Sequence, residues 1–287
     1  MRAFFCFAVA ACAVWSIAAC NNDLERQSQL DRVRVLGIRA DPAELALDPD
    51  GVMPPAAVRF TALTFAPDGG TPSMTYALCR PGANVYAQDV QCPGADGLTL
   101  DGGVLDVKDP SVQAYLAMDG GSLVGPPSQP QLLRGILLNV GYLATDGTPG
   151  DRGIEVGVYQ LSVRTTREPN QNPQLAEILV DVGAPLKVQH FPLNTKITLT
   201  PALDAGSVET YVDADGQTQT EKVVYTWFAT GLGKVEDFRS QEPYQGAGKR
   251  ESDYTTANTP EDVTLYVVVR DGRGGTDWVV RTFSEGP

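Results

Sequence analysis

Residues 261–283, EDVTLYVVVRDGRGGTDWVVRTF, carry the pattern that decides the fold. Valine or leucine occupies every second position from 263 to 269, and this period of two predicts a β-strand with that face in a core. The glycine-containing loop DGRGG follows, and five residues are a normal length for a hairpin connection. Glycine supplies the positive φ that such turns need. The stretch therefore predicts two strands around a turn.

The rest of the chain repeats this pattern of short β-branched or aromatic runs between turn residues. The 287 residues include 29 glycines and 21 prolines, which punctuate strands and argue against long helices. Further strands are expected at 33–39, 58–65, 74–79, 133–144, 154–165, 196–200 and 223–228. The chain is therefore expected to be all-β, with the strands arranged as β-sandwiches.

A weak internal repeat divides the chain in two. RVLGIRADP, VRFTALTFAPDG and MTYALC in the first half match LAEILVDVG, KITLTPALDAG and VVYTWFAT in the second half. Two copies suggest two related modules. The segment PNQNPQ, residues 169–174, breaks both strand and helix, so we expect modules at 33–169 and 170–287.

The first module is too long for a bare seven-stranded sandwich. The excess falls at residues 93–130 and contains DPSVQAYLAM, where Asp109 is expected to cap a short helix that begins at Pro110. We therefore expect an insertion that carries one short helix.

The second module resembles bacterial Ig-like and PKD-like modules. Trp227 in VVYTWFAT is followed by a late strand that ends in V-x-D-x-x-G, at Val269, Asp271 and Gly274. The resemblance implies an extracytoplasmic β-sandwich and no particular ligand. The expected fold is two Ig-like β-sandwich modules in tandem.

The first 19 residues have the pattern of a secretory signal peptide. Arg2 is the one charge before Asp23, and an apolar run follows it. The end of this run, Ile17-Ala18-Ala19-Cys20, resembles the lipobox of bacterial lipoproteins. The resemblance implies cleavage before Cys20 and lipidation of its thiol. A plain signal peptide and a retained membrane helix remain open as alternatives.

The residue after the expected cleavage site indicates a location. Aspartate there often retains a lipoprotein at the inner membrane, and Asn21 therefore favours the outer membrane. Residues 20–32 are polar and are expected to form a flexible tether between lipid and fold.

The charge of the chain restricts its partners. The formal net charge is −13, and loss of residues 1–19 removes one arginine and no acid, which gives −14. Such a chain repels nucleic acid and anionic lipid, so the one expected membrane contact is the N-terminal lipid.

Two cysteines remain after Cys20. In an oxidising compartment an even count suggests that Cys79 and Cys92 form a disulfide, with two reduced thiols as the alternative.

Motifs for catalysis are lacking. The one histidine, His190, is expected at the surface, and no G-x-S-x-G, H-E-x-x-H or P-loop motif occurs. A two-carboxylate glycosidase stays open because spatial placement, not spacing, sets its acids. We expect no enzyme activity and no cofactor.

Three pairs of aspartates are candidate calcium ligands. Asp-Gly is an ordinary turn, and no EF-hand glutamate follows at the twelfth position, so turns are expected and no metal site is assigned. The pairs are Asp48 with Asp50, Asp213 with Asp215, and Asp271 with Asp277.

A polar segment at 234–256 is the candidate ligand loop, with Phe238, Tyr244 and Tyr254 as exposed aromatics. We expect a lipid-anchored envelope protein with a non-catalytic structural or binding role, which presents its second module away from the membrane. An adhesin for envelope protein or polysaccharide is one alternative. An envelope glycosidase or a secretion accessory subunit is another.

Overall fold

The computed structural model describes residues 28–47, 57–79, 92, 97–117, 136–165, 169–181, 183–187, 190–213, 215–243 and 247–286. These residues form twenty strands, one α-helix and two single 3₁₀ turns. The fold is all-β, as predicted.

The first module contains two sheets. Its strands are β1 (Arg34–Asp41), β2 (Glu44–Leu47), β3 (Ala57–Phe65), β4 (Ser73–Leu78), β5 (Leu98–Thr99), β6 (Val104–Asp106), β7 (Ile136–Thr145) and β8 (Ile154–Thr165). One sheet has the order β1-β3-β6 and the other the order β2-β8-β7-β4-β5. Apolar side chains from both sheets, such as Phe60, Leu78 and Leu161, form the core between them.

The second module contains two five-stranded sheets and a small ribbon. Its strands are β9 (Leu175–Val180), β10 (Ala184–Pro185), β11 (His190–Phe191), β12 (Lys196–Leu203), β13 (Thr210–Val212), β14 (Thr218–Thr220), β15 (Val224–Ala229), β16 (Lys234–Val235), β17 (Arg239–Gln241), β18 (Ser252–Thr255), β19 (Glu261–Arg270) and β20 (Thr276–Glu285). The sheets run β10-β9-β12-β18-β16 and β11-β20-β19-β15-β17, with β13-β14 as the ribbon. Trp227 is fully buried in the core, where its Nε1 donates to Ser240 Oγ at 2.7 Å.

The two modules share one topology. In each, the first strand pairs antiparallel with a long strand, β1 with β3 and β9 with β12. A short strand then pairs parallel with the last strand of the module, β2 with β8 and β11 with β20. The three repeated sequence segments supply β1, β3 and β4 in one module and β9, β12 and β15 in the other. The fold is thus two Ig-like sandwiches in tandem.

The insertion and the disulfide are as predicted. Helix α1 (Pro110–Ala117) follows Asp109, whose Oδ1 accepts a hydrogen bond from Ser111 N at 2.8 Å. Cys79 and Cys92 are bonded to each other, with their Cα atoms 5.5 Å apart.

The modules pack face to face. The face of β1 and β3 that points away from the first core contributes Leu36, Leu63 and Phe65 to an apolar cluster. The second module contributes Phe228 and Val268 to the same cluster. Gly37 allows this approach, since a Cβ there would lie 3.1 Å from Val268 Cγ1. The β1-β3-β6 sheet is therefore covered on both faces.

The prediction of a flexible tether up to residue 32 was wrong. Ala229 N donates to Ser28 O at 3.0 Å, and Gln29 forms a parallel bridge with Ala229. Leu30 is buried in the same apolar cluster between the modules. Residues 28–30 therefore belong to the folded unit and lie against the second module.

Candidate binding groove between the modules

The predicted ligand loop is not an aromatic platform. Tyr254 is fully buried on β18, and its hydroxyl donates to Glu285 Oε1 at 2.7 Å. Phe238 packs edge-on against Phe228, with ring centroids 5.3 Å apart. Tyr244 lies outside the described residues. The prediction of exposed ligand-binding aromatics is therefore wrong for the two residues that the structure describes.

The turn of the β19–β20 hairpin instead reaches the first module. Asp271 Oδ1 accepts hydrogen bonds from the backbone N–H groups of Arg273, at 2.7 Å, and Gly275, at 3.0 Å. Gly274 has a φ of 117°, and its carbonyl oxygen accepts a hydrogen bond from the Tyr159 hydroxyl, which lies 2.8 Å away on β8. Asp271 is thus a turn residue, and the turn it shapes docks on the other module.

The segment between the modules fastens them together. Asn170 is buried, and its Nδ2 donates to Asp271 Oδ2 at 2.9 Å. Asn172 donates to Ala40 O at 2.8 Å and accepts from Thr276 N at 2.9 Å. Each asparagine therefore uses its side-chain amide to bind the hairpin, and Asn172 also binds the first module.

An ion pair crosses the junction next to Asn172. Asp277 Oδ1 accepts from Arg39 Nη1 at 2.9 Å, and its Oδ2 accepts from Leu175 N at 2.8 Å. Asp277 thus links β20 to β1 and to β9, and both of its oxygens are used within the protein.

A buried glutamate ends the network on the first module. The side chain of Glu44 is fully buried, and its Oε2 accepts from Arg164 Nη2 at 2.6 Å. Its Oε1 accepts from Asn170 N at 2.7 Å. A buried carboxylate needs such partners, because burial without them is costly.

Arg273 is the central residue of the polar network on the side of the second module. Its Nη1 lies 3.0 Å from Glu221 Oε1 and 3.2 Å from Glu209 Oε2, and its guanidinium lies 4.3 Å from the centre of the Tyr211 ring. Burial of Glu221, reinforced by the nearby charge of Asp271, raises the pKa of that carboxyl to about 7. The Nε of Arg273 is buried without a hydrogen-bond partner.

A groove of about 620 Å³ opens at this junction. Its walls are β1, β7, the second half of β8 and the turn between β19 and β20. Three arginines line it, Arg164, Arg270 and Arg273, and no acidic residue does. Tyr142 and Tyr159 add two rings. The charged residues of the lining are thus all basic in an acidic protein, although carboxylates outside the lining pair with Arg164 and Arg273.

Arg270 differs from the other two arginines. Its Nη1 donates to Thr226 Oγ1 at 3.1 Å and its Nη2 to Leu36 O at 2.8 Å. Among the described residues no carboxylate forms an ion pair with it. Burial, followed by the charge of Arg239, lowers the pKa of this guanidinium. Arg270 is thus a largely buried cation whose hydrogen bonds go to neutral oxygens.

The other candidates from the sequence have ordinary positions. His190 is exposed at the start of β11, as predicted. Asp213 Oδ1 accepts from Asp215 N at 3.0 Å and from Gln217 N at 2.8 Å, which is a turn. Asp48 and Asp50 lie outside the described residues.

The described residues contain neither a cluster of potential metal ligands nor a candidate membrane span. No group of three or more His, Cys, Asp or Glu side chains is arranged to hold a metal ion within the described ranges. In the same part of the chain no helix is both long and apolar enough to cross a membrane.

Comparison with known proteins gave distant likenesses. No family model and no curated protein matches the chain. The D00-D0 domain of intimin is similar at 9% identity and a TM-score of 0.24, over 88% of this chain and 98% of that one. Mouse cadherin-23 EC22-24 is similar at 12% identity and a TM-score of 0.22, over 87% and 64%. Likenesses this distant do not indicate a function.

One further similar structure covers less of each chain. It is a nucleoside hydrolase-related hypothetical protein from Saccharophagus degradans, at 10% identity and a TM-score of 0.25. The match covers 45% of this chain and 34% of that one, so it spans about a third of the other protein.

Sequence reasoning missed the groove and the polar network. The residues come from positions 35–44, 137–175 and 209–277, and no spacing rule connects them. One signal was present: Leu63, Phe65 and Val268 are apolar residues on strand faces that the alternation assigns away from the core. Apolar residues on both faces of a strand indicate that both faces are covered.

Proposed function

We propose that this chain is a lipid-anchored cell-envelope protein whose two packed modules have a non-catalytic binding or structural role. The anchor rests on the lipobox-like Ile17-Ala18-Ala19-Cys20. The binding or structural role is supported by the joined modules and by the groove between them. The buried acids Glu44 and Glu221 are held by Arg164 and Arg273, which suits a structural use of these carboxylates.

The packing of Ser28 changes the expected orientation. Extended chain spans at most about 3.5 Å per residue, so Ser28 lies within about 28 Å of Cys20. Ser28 contacts Ala229 of the second module, whereas the expectation placed that module away from the membrane. On the proposed anchor, the Ala229 end of the second module faces the membrane.

The anchor is tested by labelling with radioactive palmitate in the native host. Cys20→Ala should abolish labelling and release the protein from membranes, whereas Cys12→Ala, in the predicted signal peptide, should leave labelling unchanged. Labelling that persists in Cys20→Ala would refute the anchor. The same fractions assign the protein to the inner or the outer membrane.

A further inference from the structure

We propose that the groove between the modules binds a small molecule that carries an oxyanion, and that Arg270 is the residue that pairs with this charge. The inference does not depend on the anchor, because the groove is formed by residues 35–276 alone.

Charge is the first argument. The chain carries 35 acidic against 22 basic residues, yet the lining of this groove contains three arginines and no acid. Glu44 offsets the charge of Arg164, and Glu221 with Glu209 offsets that of Arg273. Arg270 has no such partner among the described residues. A buried charge is stable when it is paired, so an anion in the groove would complete the site.

The unused hydrogen-bond donors of the arginines also favour an oxyanion as the ligand. A guanidinium has five N–H donors in a planar fork that matches the geometry of carboxylate, phosphate and sulfate. The two bonds of Arg270, to Thr226 and to Leu36 O, leave further donors of the fork unused. The buried Nε of Arg273, which lines the same groove, also lacks an acceptor.

Shape and the apolar wall define the class of ligand. About 620 Å³ lies within the usual range for sites of small molecules. Val35, Ile38 and Val158 form an apolar wall, and the rings of Tyr142 and Tyr159 stand beside it. The best ligand therefore has an oxyanion on a flat or apolar body, as an aromatic carboxylate does.

Arg270 is separated along β19 from the residue that holds the N-terminal segment. Ala229, which holds the N-terminal segment, pairs with Leu265 on β19, and Arg270 ends the same strand. Five residues of strand cover about 17 Å. Arg270 therefore lies about 17 Å along β19 from the contact that holds the N-terminal segment.

The test measures the binding of benzoate to the protein. Phosphate and sulfate are tested in parallel, and chloride at equal ionic strength is the reference. The dissociation constants are measured by NMR titration of the purified protein. Val158→Glu places a carboxylate in the groove. Val156→Glu places one two residues away on the same strand face, where the side chain is exposed and does not line this groove. We expect Val156→Glu to bind benzoate like the unaltered protein and Val158→Glu to bind at least tenfold more weakly.

A second pair of variants tests Arg270 itself. Arg270→Gln should lose benzoate binding, and Arg250→Gln, at an exposed arginine outside the groove, should retain it. Equal binding by Val158→Glu and Val156→Glu, or by Arg270→Gln and Arg250→Gln, would overturn the proposal. So would the absence of saturable binding by all three anions. Saturation by phosphate or sulfate alone would assign the ligand as an inorganic-type oxyanion.

Discussion

Raising the pH from about 5 to about 8 should destabilise this protein through Glu221. Burial raises the pKa of Glu221 from its ordinary 4.5 to about 7. The folded protein therefore holds this proton more tightly than the unfolded chain does. The resulting stabilisation is complete below about pH 4.5 and is lost as the pH rises through 7. Since each pKa unit corresponds to 1.36 kcal/mol, the loss is about 3 kcal/mol.

Urea unfolding followed by tryptophan fluorescence measures this loss. Glu221→Gln cannot titrate and should remove most of the decline in the free energy of unfolding between pH 5 and 8. A decline of the same sign should remain, because burial also raises the pKa of Asp271 and of Glu155. Glu236→Gln, at an exposed acid, should keep the full decline. If Glu221→Gln and the unaltered protein lose stability equally, the account of the Arg273 network is wrong.

Three further changes test the packing by the same urea assay. Gly37→Leu should cost about 2–3 kcal/mol against less than about 1 kcal/mol for Gly37→Ala, because even a Cβ lies 3.1 Å from Val268 Cγ1. Equal costs would show that the modules are not pressed together there. Tyr254→Phe should cost about 1–2 kcal/mol, because a buried carboxylate loses its hydroxyl donor; no loss would mean that this hydroxyl faces water. Replacement of both Cys79 and Cys92 by alanine should cost about 3 kcal/mol, the loop-closure value for a separation of 13 residues, and an unchanged stability would contradict the disulfide.

The sequence predicted the strands and the local features well. Alternation at 263–269 predicted β19, and the residues Asp109 and Pro110 predicted α1, because periodicity and caps act between near neighbours. The repeat of three segments predicted two related modules, and these segments supply β1, β3 and β4 in one module and β9, β12 and β15 in the other.

The contacts between the modules could not be predicted in this way. Alternation assigns Leu63 and Phe65 to the face opposite the first core but cannot say what covers that face. The groove joins Val158 to Arg270 across more than a hundred residues, so only the packed structure brings them together.

Tyr254 was predicted to be an exposed loop residue but is buried on a strand. Its four-residue strand lies in a polar stretch, and the composition of that stretch indicated a loop although the side chain is buried. Strands this short carry too few residues for alternation to be distinguished from chance.

Small-angle X-ray scattering on a lipid-free form of the chain tests the central claim, that the two modules pack face to face as one unit. A compact chain of this length has a radius of gyration of about 18 Å, and a value of about 18–20 Å is expected. Two sandwiches joined end to end would give a radius clearly above about 22 Å and an elongated distance distribution. That second result would contradict the packed interface and the groove that depends on it.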